Sequence, residues 1–268
     1  MGPEKESRTP APGGRLTYGI ELPFVRLPYW LIILLIFFLV TLFSILSSET
    51  YLSALKFIAS GIRLTVFISV GAYIIALILG LIIGLGRVSK NPILYTLATL
   101  YVEVMRGVPL LVIIFYARFV IIPWISLLTD KSLVRSDFLT GVVPLALGYA
   151  AYLAEVYRAG IESINRGQFE AARSLGMSNF QMMRYIILPQ AVKSVLPPLG
   201  NDFIAMLKDS SLLSAIGVGE LTYWGKTKIG ASADTFLGWN TVAFLYLIIS
   251  LLLSLIVKWI EKRASTDE

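Results

Sequence analysis

Three ionisable residues stand in stretches that are otherwise mostly apolar: Glu103 and Arg106 within residues 92–122, and Glu155 within residues 138–157. Carrying such a group into hydrocarbon costs about 2.5–3.5 kcal/mol on insertion scales, so its presence there points to function first. Glu103 and Arg106 are one helical turn apart and can also neutralise each other. Tyr152 shares a helix face with Glu155 and adds a hydroxyl beside it. The chain has no cysteine and no histidine. That removes disulfides, thiolate zinc sites, iron–sulfur ligation, His-based proton relays and any nucleophile–base pair built on Cys or His. The nearest approach to a phosphate loop runs from Gly219 to Thr227. It places five residues between Gly219 and Gly225 instead of four, and Glu220 stands where a glycine is needed. No catalytic residue, metal ligand or cofactor of the chain's own is expected.

A second group of residues is suited to contact rather than chemistry. The segment 158–184 holds a short helix expected from about Gln168 to Leu175 and closed by Gly176, with Ser178 or Asn179 capping the helix that follows. Phe169, Ala172 and Leu175 are expected on one face, with Glu170 and Arg173 beside it. A small apolar knob with a charged rim can dock in a partner's groove or rest on lipid headgroups, and the residues alone allow both.

The elements that must carry these residues are membrane spans. The chain is 56% hydrophobic and 15% charged, against about 25% charged in globular proteins. Residues 27–48, 64–86 and 235–257 hold no charge at all, and about 20 such residues cross a bilayer core. Residues 92–122, 138–157 and 185–207 complete a set of six, the last broken at Pro197-Pro198. The fold class is therefore an all-α polytopic membrane bundle. Residues 1–26 read as a disordered cytoplasmic tail and 263–268 as a C-terminal tail.

Basic residues crowd the N-terminal tail and the 87–90, 158–184 and 258–263 segments. The alternate segments hold fewer (Lys56, Arg118, Lys131, Arg135, Lys208, Lys226 and Lys228), offset by acids such as Asp130 and Asp234. The bias puts both termini inside, and the net charge of +6 reads as topology rather than as a nucleic-acid site. Ala76, Gly80 and Gly84 recur every four residues, a spacing that lets helices approach closely.

Several motifs then occur in order. Glu170-Ala171-Ala172, Gly176, nine residues, and Ile186-x-Leu188-Pro189 form one. Ser163-Ile164-x-x-Gly167-Gln168 precedes it, and Lys208-Asp209-Ser210-Ser211-Leu212-Leu213-Ser214-Ala215-Ile216-Gly217 follows. Gly61-x-x-x-Thr65-x-x-x-Ser69, Glu103-x-x-Arg106-Gly107-x-Pro109-Leu110-Leu111 and Ala151-Tyr152-x-Ala154-Glu155 add to the match. Over about residues 57–262 the chain resembles the permease subunits of type I ABC importers, in the polar amino-acid (histidine/glutamine-type) branch, and the first motif is their EAA signature. Two departures stand out: a span at 27–48 precedes the five-span core, and Ile113 stands where the branch often has Gln.

The resemblance implies a multi-pass protein of the bacterial inner membrane that carries a polar or charged amino acid into the cytoplasm. Implied partners are a dimer of ATPase subunits, a second permease subunit (identical or sibling), an extracytoplasmic amino-acid-binding protein and membrane lipid. ATP and Mg would be bound by the ATPase. Gln168, Phe169, Glu170, Ala171, Ala172, Arg173, Leu175 and Gly176 would dock the ATPase, with Ala172 facing its cleft. An amino acid needs an acid for its ammonium and donors for its carboxylate; Glu155 and Arg106, helped by the Thr65 and Tyr152 hydroxyls, are the expected pocket. The competing reading is a secondary transporter driven by an ion gradient, but the repeats common in such proteins are not evident.

Overall fold

The computed structural model describes residues 19–22, 25–128 and 136–265. The chain divides into a small N-terminal unit, up to Glu49, and a larger unit from Thr50.

In the first unit, β1 (Gly19–Leu22) and β2 (Val25–Pro28) pair antiparallel, with Gly19 opposite Pro28 and Leu22 opposite Val25. The end of the expected disordered tail thus holds paired strands; residues 1–18 and 23–24 of that tail lie outside the described residues. The helix α1 (Tyr29–Ser47) follows. Its 19 residues extend about 28 Å, close to the roughly 30 Å of a bilayer core.

The larger unit is helical. It comprises α2 (Glu49–Ala59), α3 (Ile62–Arg87), α4 (Pro92–Gly107), α5 (Leu110–Tyr116), α6 (Ile122–Leu128), α7 (Asp137–Glu162), α8 (Arg166–Ser174), α9 (Asn179–Met182), α10 (Leu188–Asp209), α11 (Leu221–Ser232) and α12 (Thr235–Ser265). Length and apolarity alone qualify Glu49–Arg87, Leu110–Leu127, Asp137–Glu162 and Thr235–Arg263 to cross a membrane, with the shorter apolar Leu31–Ser47 beside them. The stretch 92–122, expected as one span, is two helices. Val108 and Pro109 take extended ψ values of 132° and 137° between them, because the ring of Pro109 disfavours helical backbone at Val108. Conversely, α10 runs unbroken through Pro197 and Pro198, and α12 continues to Ser265 through the start of the expected tail. Asp130, Lys131 and Arg135, expected outside the membrane, lie outside the described residues.

The core forms where α3 and α7 pack along their length. Ile68, Ala72 and Ala76 of α3 meet Val142, Leu145, Ala146 and Leu153 of α7, with Met206 of α10 joining them. The small-residue stripe makes this approach possible. A Cβ on Gly80 would lie 2.8 Å from the Leu153 Cβ and 3.1 Å from the Ala150 carbonyl oxygen, and one on Gly84 would lie 2.9 Å from the Ala154 carbonyl oxygen. Outward faces are apolar and bare, as at Ile82, Ile93, Leu97, Leu100, Leu255 and Ile256. An apolar exterior of this extent suits lipid, not water.

Candidate functional site

Local sequence signals place the helix ends that carry the site. Asn91 caps α4, its side chain accepting from the Ile93 and Leu94 amides, with Pro92 in the first turn. Ser136 caps α7 through the Leu139 amide. α7 packs against both α4 and α10, and a cavity of about 450 Å³ is lined by residues of all three. It is lined by Arg106 of α4, by Tyr152, Glu155, Val156, Ala159 and Gly160 of α7, by Ser163, and by Ser194, Pro198 and Asp202 of α10. The volume falls in the range of small-molecule sites.

Three of the four expected pocket residues therefore share one cavity. Thr65 does not join them. It is fully buried, its hydroxyl donates to the Gly61 carbonyl oxygen at 3.0 Å, and the Thr65 hydroxyl oxygen accepts the Leu221 amide at 3.0 Å. With its proton donated and its oxygen accepting an amide, Thr65 joins α3 to α11 and is buried away from the cavity. Gly61 belongs to the same junction, since a Cβ there would lie 2.7 Å from the Leu221 nitrogen.

Glu155 is also more engaged than expected. Its carboxylate is hydrogen-bonded by Arg87 at the end of α3 and by Arg158 one turn on in α7, and Arg106 stands 4.0 Å away. Arg158 also reaches Glu162, and Glu103 lies 4.0 Å from Arg87. Glu103 and Arg106 thus find opposite charges on other helices rather than only on each other. Arg106 further sits 5.7 Å from the centre of the Tyr152 ring, a cation–π contact.

The sequence reads Arg87 and Arg158 as topology, Ser163 as part of a motif and Pro198 as a helix break, and puts none of these, nor Ser194 or Asp202, in the pocket. Asp202 carried the same signal that singled out Glu155, a carboxylate inside a span. Arg87 had no such mark, because a basic residue at a helix end reads first as a topology signal.

At the loop, α8 ends as expected. Gly176 takes φ +74°, and its amide donates to the Arg173 carbonyl oxygen. Asn165 caps α8 through the Gly167 amide, and Ser178 with Gln181 forms a full capping box ahead of α9. The expected apolar outer face is corrected, however. Ala172 is 1% exposed and packs with Ile164, Met182, Ile187 and Ala191, and Phe169 leans on the same cluster. Both side chains hold α8 to its own chain, because that cluster is the nearest apolar surface that can bury them. What α8 presents outward is Gln168, Glu170, Ala171 and Arg173, then Leu175 at 80% exposure and Gly176.

The chain is similar to known proteins along most of its length. Residues 76–266 match the family of binding-protein-dependent transport system inner membrane components. The probable amino-acid permease protein YxeN of Bacillus subtilis is 36% identical over 220 residues, covering 81% of this chain and 95% of that protein. The glutamine transport system permease protein GlnP of Escherichia coli is 36% identical over 210 residues, covering 78% and 94%. Among solved structures, an amino acid ABC transporter crystallised with histidines aligns at TM-score 0.69 and 35% identity, covering 80% of this chain and 98% of that one. The MetNI methionine ABC transporter aligns at TM-score 0.67 but 21% identity, which speaks for the fold alone. With the buried stripe, the charged cavity and the capped loop, these matches identify the chain as a multi-pass membrane permease of the binding-protein-dependent inner membrane component family, of the amino-acid ABC type.

Proposed function

We propose that the chain moves a polar amino acid inward across the membrane through the cavity between α4, α7 and α10, driven by ATPase subunits docked at the α8 loop. The observation that carries this is the position of the ion cluster. Glu155 and Arg106 line the cavity, while Arg158 and Glu162 of the same cluster end α7 four residues before α8 begins. A force applied at the loop is thereby linked through a rigid helix to the groups around the cavity. Capping at both Asn165 and Ser178 gives the loop the stiffness that such a link requires.

Both termini lie in the cytoplasm in this reading, with the extracytoplasmic binding protein on the opposite face and a second permease subunit beside the first. The similarity to glutamine permeases and to an amino acid ABC transporter supports an amino acid as cargo. ATP and Mg belong to the ATPase partner.

The docking surface is the outward set of Gln168, Glu170, Ala171, Arg173, Leu175 and Gly176, with Ala172 and Phe169 as its internal anchor. Leu175→Asp tests it, because the side chain is exposed and its replacement leaves the chain's own packing intact. The variant should insert and purify normally yet lose the ATPase, or keep it with hydrolysis no longer stimulated by loaded binding protein. Full ATPase stoichiometry with normal stimulation would refute docking at this surface. Ala172→Trp should instead damage the loop itself, since a ring cannot enter a cluster that holds a methyl group.

A further inference from the structure

We propose, building on that function, that Asp202 and the Ser194 carbonyl receive the ammonium of the amino acid, that Arg106 receives its carboxylate, and that Glu155 serves as an internal counter-ion. The cavity then favours neutral and cationic amino acids over acidic ones.

Charge counting leads there first. Arg87, Arg106 and Arg158 face Glu103, Glu155 and Glu162 in one connected cluster, three against three. That cluster is balanced without a ligand. For a substrate ammonium to reach Glu155 it would have to displace guanidinium groups already hydrogen-bonded to both carboxylate oxygens.

Asp202 is the surplus charge. Among the described residues no cation pairs with it and no hydrogen bond engages its carboxylate, yet it lines the cavity. A half-buried carboxylate without a partner is costly unless something visits it.

The proline pair supplies a second acceptor. In a helix, the Ser194 carbonyl would accept from residue 198, or from residue 197 in a tighter turn. Both are proline and have no N–H to give. Ser194, Pro198 and Asp202 recur every four residues and line the cavity together. The freed carbonyl therefore belongs to the same turns of α10 as the carboxylate. A carboxylate with a nearby carbonyl is an ammonium site, and an exposed guanidinium across the cavity is a carboxylate site. Arg106 suits that second role, being held to Glu155 only at 4.0 Å with 43% of its side chain exposed.

The test is equilibrium binding of radiolabelled glutamine, arginine and glutamate to the detergent-purified permease–ATPase complex without binding protein. The unmodified complex should bind glutamine and arginine in preference to glutamate. Asp202→Asn should weaken glutamine and arginine roughly tenfold or more, and glutamate less, because losing the Asp202 charge also relieves repulsion of its side-chain carboxylate; the glutamine-to-glutamate ratio should therefore narrow. Asp202→Glu, with its charge retained, should keep the ratio. A change of ratio cannot come from misfolding, which lowers all three ligands together. Glu155→Gln, whose charge is already engaged by Arg87 and Arg158, should move the ratio less than Asp202→Asn. Unaltered affinity and ratio in Asp202→Asn, or a ratio that moves only in Glu155→Gln, would overturn the assignment. Absence of binding by the unmodified complex would also overturn it, while ATP-driven uptake, measured separately, would still uphold the transport function.

Discussion

The two ends of α3 are fastened to the rest of the molecule in opposite ways. Near its start, Thr65 ties it to the Leu221 amide inside a junction that water does not reach. The same junction holds Glu220, fully buried, whose carboxylate accepts the Thr222 and Tyr223 amides and the Tyr246 hydroxyl. Every oxygen there has a protein donor and no ion is needed. At the far end, Arg87 fastens α3 to Glu155 beside an open cavity, and the pairs are partly exposed. Hydrogen bonds that water does not reach have no competitor, so the first end is a fixed joint. Ion pairs beside an open cavity can trade partners with water, with one another or with a ligand, so under the proposed function the second end can change as cargo moves. Exchangeable contacts thus stand beside the proposed path and permanent ones away from it.

The rail between the two ends should be the most sensitive. Gly80→Leu would drive a side chain into Leu153 and the Ala150 carbonyl. Separating α3 from α7 in this way should cost about 3 kcal/mol or more, seen as loss of monodisperse protein in size-exclusion chromatography. Normal yield would mean that the close approach is not required.

The fixed joint comes next. Thr65→Val removes the acceptor of a buried amide, at about 1–3 kcal/mol. The melting temperature of the purified complex should fall by several degrees, with uptake per folded complex unchanged at low temperature. Altered substrate selectivity in this variant would return Thr65 to the substrate path.

The exchangeable end should show the smallest stability effect. Glu155→Gln keeps an oxygen that can still accept from Arg87 and Arg158, so the melting temperature should fall less than in Thr65→Val. Uptake should nonetheless drop, for all amino acids alike. A large melting shift would make this end structural too.

The sequence revealed these regions unevenly, for physical reasons. Ala76, Gly80 and Gly84 announced the α3–α7 contact, because only small residues permit it. Gly176 announced its positive φ, because a Cβ is strained there. Pattern could not tell which face of α8 turns inward: Phe169 and Ala172 make a respectable docking knob until Ile164, Met182 and Ile187 come to cover them. Thr65 looked like a pocket hydroxyl because its partner, Leu221, lies 156 residues further along the chain. Likewise, the pairing of Arg87 with Glu155 across 68 positions emerges only in the folded bundle. That pairing is what shifts the ammonium site to Asp202.

The most direct test of function compares energy sources. The chain is reconstituted in liposomes with its ATPase, its binding protein and labelled glutamine, and again alone under an imposed proton or sodium gradient. Uptake should require ATP on the α8 side and the ATPase subunit, and the gradient alone should drive none. Accumulation by the isolated chain under the gradient, without ATP, would contradict the ABC mechanism and favour a secondary transporter.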